Sequence, residues 1–123
     1  MTPDAALRAV SRIRASEVLG RAGPRSEAML LRSALEGALS DWLCGNAKGA
    51  QAANFSVQLQ VLHLRFPDSE LAGRVAWTWD ALSRATHFNG YVLPPGRKQL
   101  DEWEACVREF VAAVCGSPGH ARV

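Results

Sequence analysis

The sequence is poor in the features that usually announce a function. Of its 14 basic residues only two, Lys48 and Lys98, are lysines, it has one tyrosine, and its three cysteines, Cys44, Cys106 and Cys115, are odd in number and far apart. No CxxC pair and no histidine at zinc-finger spacing accompanies them, which removes a disulfide framework and a structural zinc site. A reduced, cytoplasmic chain with no metal and no cofactor is the expectation. Long apolar runs are also missing: Arg, Asp, Glu or Lys interrupts every hydrophobic stretch before the roughly 20 residues that a membrane helix needs, so no membrane span is expected. The N-terminal stretch carries Arg8, Arg12, Arg14, Arg21 and Arg25 against Asp4 and Glu17 without the continuous apolar segment of a secretory signal, and it reads as a folded helix. A phosphate-binding glycine loop, a nucleophile elbow and an HExxH helix are absent, which removes motif support for most enzyme classes. A net charge of +2 is too small to imply nucleic acid by itself.

What the chain does have is apolar content. With 123 residues, 48% of them hydrophobic, folding can bury roughly two-thirds of the surface of the unfolded chain, enough for one core without disulfides or metal. Twenty alanines and an excess of arginine over lysine match a composition favoured by GC-rich codons. There is no internal repeat, and proline, glycine and cap residues divide the chain into about five segments.

All five segments fit a helical period. The first opens at Thr2-Pro3, a cap residue followed by proline, and runs through Leu7, Val10 and Ile13 towards Gly20. The second starts at Ser26 and carries Leu31, Ala34, Leu35, Ala38, Leu39, Trp42 and Leu43 on one broad face, with Gly37 suggesting a close crossing by another part of the chain. After Cys44, residues 45–50 read as a loop. In the third, Asn54 to Phe66, Phe55, Val57, Leu59 and Val61 alternate as in a strand, whereas Phe55, Leu59, Leu62 and Phe66 form a helical stripe. Helix is the assignment, because no second strand exists to satisfy a lone one.

Pro67-Asp68-Ser69 opens the fourth helix, with Leu71, Ala72, Val75, Trp79, Leu82 and Thr86 on one face and Trp77, Ala81, Arg84 and Phe88 on another. Such a helix either lies central in its bundle or gives its second stripe to another subunit. After Leu93-Pro94-Pro95-Gly96 the last helix carries Leu100, Trp103, Val107, Phe110, Val111 and Val114, with Glu104 and Arg108 paired on its margin, and ends at Gly116. Cys106 and Cys115 lie beside that face, where a thiol packs as a small hydrophobe. The expected fold is all-α, a compact bundle of about five helices over residues 1–116, followed by a frayed tail, 117–123, whose His120 is assigned no role.

One polar constellation stands out. Asp80, Arg84 and His87 follow at four- and three-residue spacing, so their side chains can share one helix surface. Arginine holds a phosphate through its planar fork, histidine titrates near neutrality and can move a proton, and Asp80 could orient the group. The plainer reading is a solvated salt-bridge face. His63, between Leu62 and Leu64, reads as a hydrogen-bonded residue at a helix edge.

The stretch from Trp79 through Arg84, His87, Asn89, Tyr91 and Leu93 to Pro95 resembles a segment of small uncharacterised proteins from high-GC bacteria, running approximately W-x-A-L-S-R-A-C-H-x-H-x-Y-x-L-x-P. Those proteins are similar in turn to HEPN domains, helical bundles that often dimerise and whose ribonuclease members carry Arg, four to six residues, then His. The resemblance covers about twenty residues closely. Arg84 matches the motif arginine and His87 the first histidine, but Asn89 occupies the place of the distal histidine and is neither a general acid nor a base at neutral pH. The resemblance implies a HEPN-like bundle, dimeric, contacting RNA or a partner protein around Asp80, Arg84, His87 and Asn89 without retained catalysis. Two alternatives stay open. One is a non-enzymatic assembly module with Trp77, Ala81 and Phe88 at its interface, or a small helical subunit of a CRISPR-type ribonucleoprotein. The other is a metal-independent ribonuclease in which Arg84 holds the scissile phosphate and His87 serves as acid or base while the ribose 2′-hydroxyl attacks.

Overall fold

Alanine and leucine at three- and four-residue spacing make the longest helix of the molecule and place it at the centre. The computed structural model describes residues 2–16, 22–87 and 94–116. Its elements are α1 (Pro3–Ala15), α2 (Ala22–Asn46), a single 3-10 turn at Ala50–Ala52, α3 (Phe55–Arg65), α4 (Ser69–Thr86) and α5 (Arg97–Gly116), with no strand among the described residues. This is the all-α bundle that the apolar periods predict. Helix α2 touches all four others, and α4 and α5 pack on each other beside it.

Three helix starts have a side-chain cap. Thr2 accepts from the Ala5 N–H at 3.1 Å, Asn54 from Val57 at 3.0 Å and Asp68 from Leu71 at 3.0 Å, each satisfying a backbone donor that a helix leaves without an internal partner. Helix α2 departs from expectation at both ends. It begins at Ala22 rather than after Ser26, because Pro24 falls in the first turn, where a missing N–H costs nothing. It continues to Asn46 because its last carbonyls find partners: the Asn46 amide donates to the Trp42 carbonyl at 2.8 Å, and Arg65 donates to the Asn46 carbonyl at 3.0 Å. The expected continuation of α1 towards Gly20, and the tail 117–123, lie outside the described residues.

The core confirms the helical assignment of residues 54–66. Leu62 and Phe66 are buried, Phe55 and Leu59 are partly so, and this is the helical stripe rather than the alternating one. Phe66 meets Trp42 edge to face at 5.6 Å and Phe110 at 5.7 Å, so one chain of rings joins α2, the end of α3 and α5. A Cβ placed on Gly37 would lie 3.2 Å from Cγ of Pro3, so the start of α1 crosses α2 where a glycine leaves room for it.

A chain of ion pairs ties α1, α2 and α5. The Glu27 carboxylate of α2, only 4% exposed in its side chain, accepts both prongs of Arg97 at 3.0 and 2.7 Å. Arg14 of α1 reaches Asp101 at 2.8 Å and also contacts Glu104, which Arg108 holds at 2.6 Å. Three guanidinium groups and three carboxylates are thereby balanced at one edge of the core. Glu104, expected on a margin, is buried within this network.

Candidate docking groove between α4 and α5

Helix α4 presents two surfaces. Leu71, Ala72, Val75, Thr78, Ala81 and Leu82 are buried, while Trp77 keeps 62% of its surface in solvent. The stripe expected from Trp77, Ala81 and Phe88 is therefore divided: Ala81 turns towards α5, Trp77 stands outside, and Phe88 lies outside the described residues. Two adjoining open hollows flank Trp77, of about 540 and 330 Å³. They share Trp77 and Trp103, so together they make one apolar groove along the α4–α5 seam. Gly73, Thr78 and Cys106 line one end; Ala81, Arg84 and Pro95 line the other.

The polar constellation is only partly assembled. Arg84 and Asp80 pair at 3.1 Å, with 71% and 59% of their side chains exposed. His87 is the first residue past α4, on extended backbone, exposed, and no hydrogen bond or ion pair joins it to either of them. Asn89 lies outside the described residues. The arginine is thus committed to a carboxylate in solvent rather than held beside a proton carrier. Among the described residues no group of His, Cys, Asp or Glu side chains is placed to hold a metal ion, and no helix is long and apolar enough to cross a membrane.

No surplus of cations lines the groove: Glu70, Asp80, Glu102 and Glu109 stand against Arg74 and Arg84. Arg74 makes a two-pronged pair with Glu109 of α5, both contacts at 3.0 Å, and lies 3.5 Å from Glu70. That guanidinium holds the Glu109 carboxyl below the usual glutamate range, and Glu109 holds Arg74 above its own. With Asp80 beside Arg84, the acids of the rim offset the bases.

Sequence reasoning missed the opposite flank of α4. The Trp79 indole donates to Glu36 at 2.9 Å, Phe55 stacks on its ring at 4.4 Å, and the Arg32 guanidinium lies 5.7 Å from the ring centroid while bonding Glu36 at 3.0 Å. Tryptophan at a core-facing position was legible, but its carboxylate partner 43 residues earlier was not. His63 is exposed and borders a shallow apolar hollow with Leu59 and Leu64 rather than bonding at a helix edge.

Cys106 forms part of the groove floor. Burial pushes its thiol above the ordinary range, against the opposing influence of a Thr78 hydrogen bond and of Arg74. Cys44 and Cys115 are exposed. In the native protein two thiols are expected to react promptly with an aromatic disulfide reagent and the third only as the fold opens. Three prompt equivalents would mean that the reagent reaches Cys106 through the groove without the fold opening. In comparisons with known proteins the chain matches no protein-family model, no curated protein and no solved structure.

Proposed function

We propose that this chain is a non-catalytic assembly module that docks on another protein chain through the α4–α5 groove. The observation that carries this reading is Trp77, a large aromatic side chain 62% exposed on the polar face of α4 and set between two apolar hollows. Tryptophan is over-represented among residues that dominate protein interfaces, and leaving it in water forgoes a large apolar contribution. The rim supports a protein partner over RNA. Phosphate recognition needs surplus cations, whereas Arg74 faces Glu109 and Glu70 and Arg84 faces Asp80.

A ribonuclease would need Arg84 and His87 to act on one phosphate. The Asp80–Arg84 pair, which His87 does not join by a hydrogen bond or ion pair, argues against cleavage, and so does asparagine at position 89. Light-scattering mass with and without mixed cellular RNA, followed by a gel of that RNA, tests the reading. The RNA is expected to remain intact and to elute apart from the protein even at low salt. Metal-independent fragmentation that His87→Ala abolishes would replace this reading with the ribonuclease. Salt-sensitive co-elution without cleavage would replace it with an RNA-binding subunit.

A further inference from the structure

The residues around Trp77 form a pattern that is complementary to itself. Taking about 100° per residue, Glu70, Gly73, Arg74, Asp80, Ala81 and Arg84 all lie within about 60° of Trp77 on the helix surface. They are spaced symmetrically about it. Glu70 stands seven residues before Trp77 and Arg84 seven after; Gly73 stands four before and Ala81 four after; Arg74 stands three before and Asp80 three after. We infer that two copies of this chain associate through α4 packed antiparallel on α4 about a two-fold axis at Trp77. This rests on the reading of the groove as a protein-docking surface and names its occupant as a second copy.

In that arrangement each position stands level with its mirror position, and those close to the centre line of the face meet. Glu70 and the partner's Arg84, each about 20° off that line, face one another and the two Trp77 rings meet at the axis, whereas Arg74 and Asp80, about 60° to opposite sides, stay on separate flanks and Ala81 is covered by α5. Each charged pairing occurs twice, as an interface between identical surfaces requires. A parallel packing would instead oppose Glu70 to Glu70 and Arg84 to Arg84, so charge selects the orientation. The small residues fit the same geometry. Gly73 lies mid-helix, where glycine is unfavourable, and a Cβ there would meet nothing within 4 Å of its own chain. Gly37 has Pro3 against it, whereas Gly73 has only open space. A second helix crossing there would approach closely, and the hollows on either side of Trp77 would receive the partner's indole. Arg74 is held by Glu109 within its own chain, so Glu70 with Arg84 is the pair to test.

One helix pair is at the small end of specific interfaces, at or below about 1,200 Å², so association is expected in the micromolar range. Light-scattering mass across that range should rise from monomer to dimer, and Trp77→Ala should abolish the rise. Glu70→Arg and Arg84→Glu each oppose like charges twice across the axis, and each alone should weaken association by about tenfold or more while circular dichroism stays unchanged. An equimolar mixture of these two variants should recover the dimer, because the heterodimer restores opposite charge at both Glu70–Arg84 positions. A wild type that stays monomeric, single variants that associate as well as wild type, or a mixture that stays weak would each overturn the α4 two-fold. Where any of these occurs with RNA left intact and unbound, the docking reading stands and the second copy is excluded as its occupant through this face. RNA cleavage or capture by the wild type removes both.

Discussion

Phe110→Ala is expected to destabilise the bundle by about 4 kcal/mol, the largest effect of any single truncation proposed for this protein. Phe110 is fully buried and its ring lies 5.7 Å from Phe66, which in turn meets Trp42 at 5.6 Å. Removing it takes away the apolar area of a whole ring and leaves a cavity lined by side chains that helices on both sides hold in place. Phe66 would lose its neighbour, and the link between α5 and the end of α3 would go with it. Against a total stability of roughly 5–15 kcal/mol for a domain of this kind, such a loss takes much of the margin. Urea unfolding followed by far-ultraviolet circular dichroism measures it, with the midpoint falling at unchanged slope. A loss below about 1.5 kcal/mol would mean that the core collapses to fill the space and that the ring chain is not rigid.

The second large effect is electrostatic. Arg97→Met keeps most of the aliphatic stem but strips the Glu27 carboxylate of the fork that binds both its oxygens, at 3.0 and 2.7 Å. Glu27 is 4% exposed in its side chain, and the next cation, Arg14, lies 4.0 Å away and is engaged with Asp101. A buried carboxylate deprived of its partner costs about 3 kcal/mol, which for a chain of this size lowers the melting temperature by roughly 10 °C. The double variant Glu27→Leu with Arg97→Met is expected to recover most of that loss, because two apolar side chains leave no charge unpaired. Calorimetry of Arg97→Met, Glu27→Leu and the double variant with the wild type closes the cycle. A single variant within about 1 kcal/mol of wild type would show that Arg14 and water serve Glu27 equally well.

These two positions also mark how far a sequence can be read. Phe110 lay on an apolar period shared with Trp103, Val107 and Val114, and such periods reflect local backbone geometry that every helix obeys. Gly37 was legible for a similar reason: a glycine inside a strong helix carries a penalty that a close crossing explains, and Pro3 makes that crossing. Glu27 was not legible. Its partner is 70 residues away, and nothing in the spacing of either residue points to the other. The ends of α2 were misread because Pro24 is harmless in a first turn and because Arg65, from another helix, closes the last one.

The candidate surface was half visible. That α4 carried a second stripe could be counted from Trp77, Ala81 and Arg84, and the pairing of Asp80 with Arg84 follows from four-residue spacing on any helix. Whether His87 joined them depended on where α4 stops, since one residue beyond its end the backbone is extended and the helical spacing no longer holds. The sequence by itself determined the number of helices, their apolar faces and the local ion pair, all consequences of period and capping along the chain. Only the tertiary structure decided that α5 covers Ala81 but leaves Trp77 in solvent, that Glu36 takes the Trp79 indole, and that Glu27 is buried against Arg97. Those outcomes depend on which helix lies beside which, and packing between distant segments leaves no periodic trace in either one.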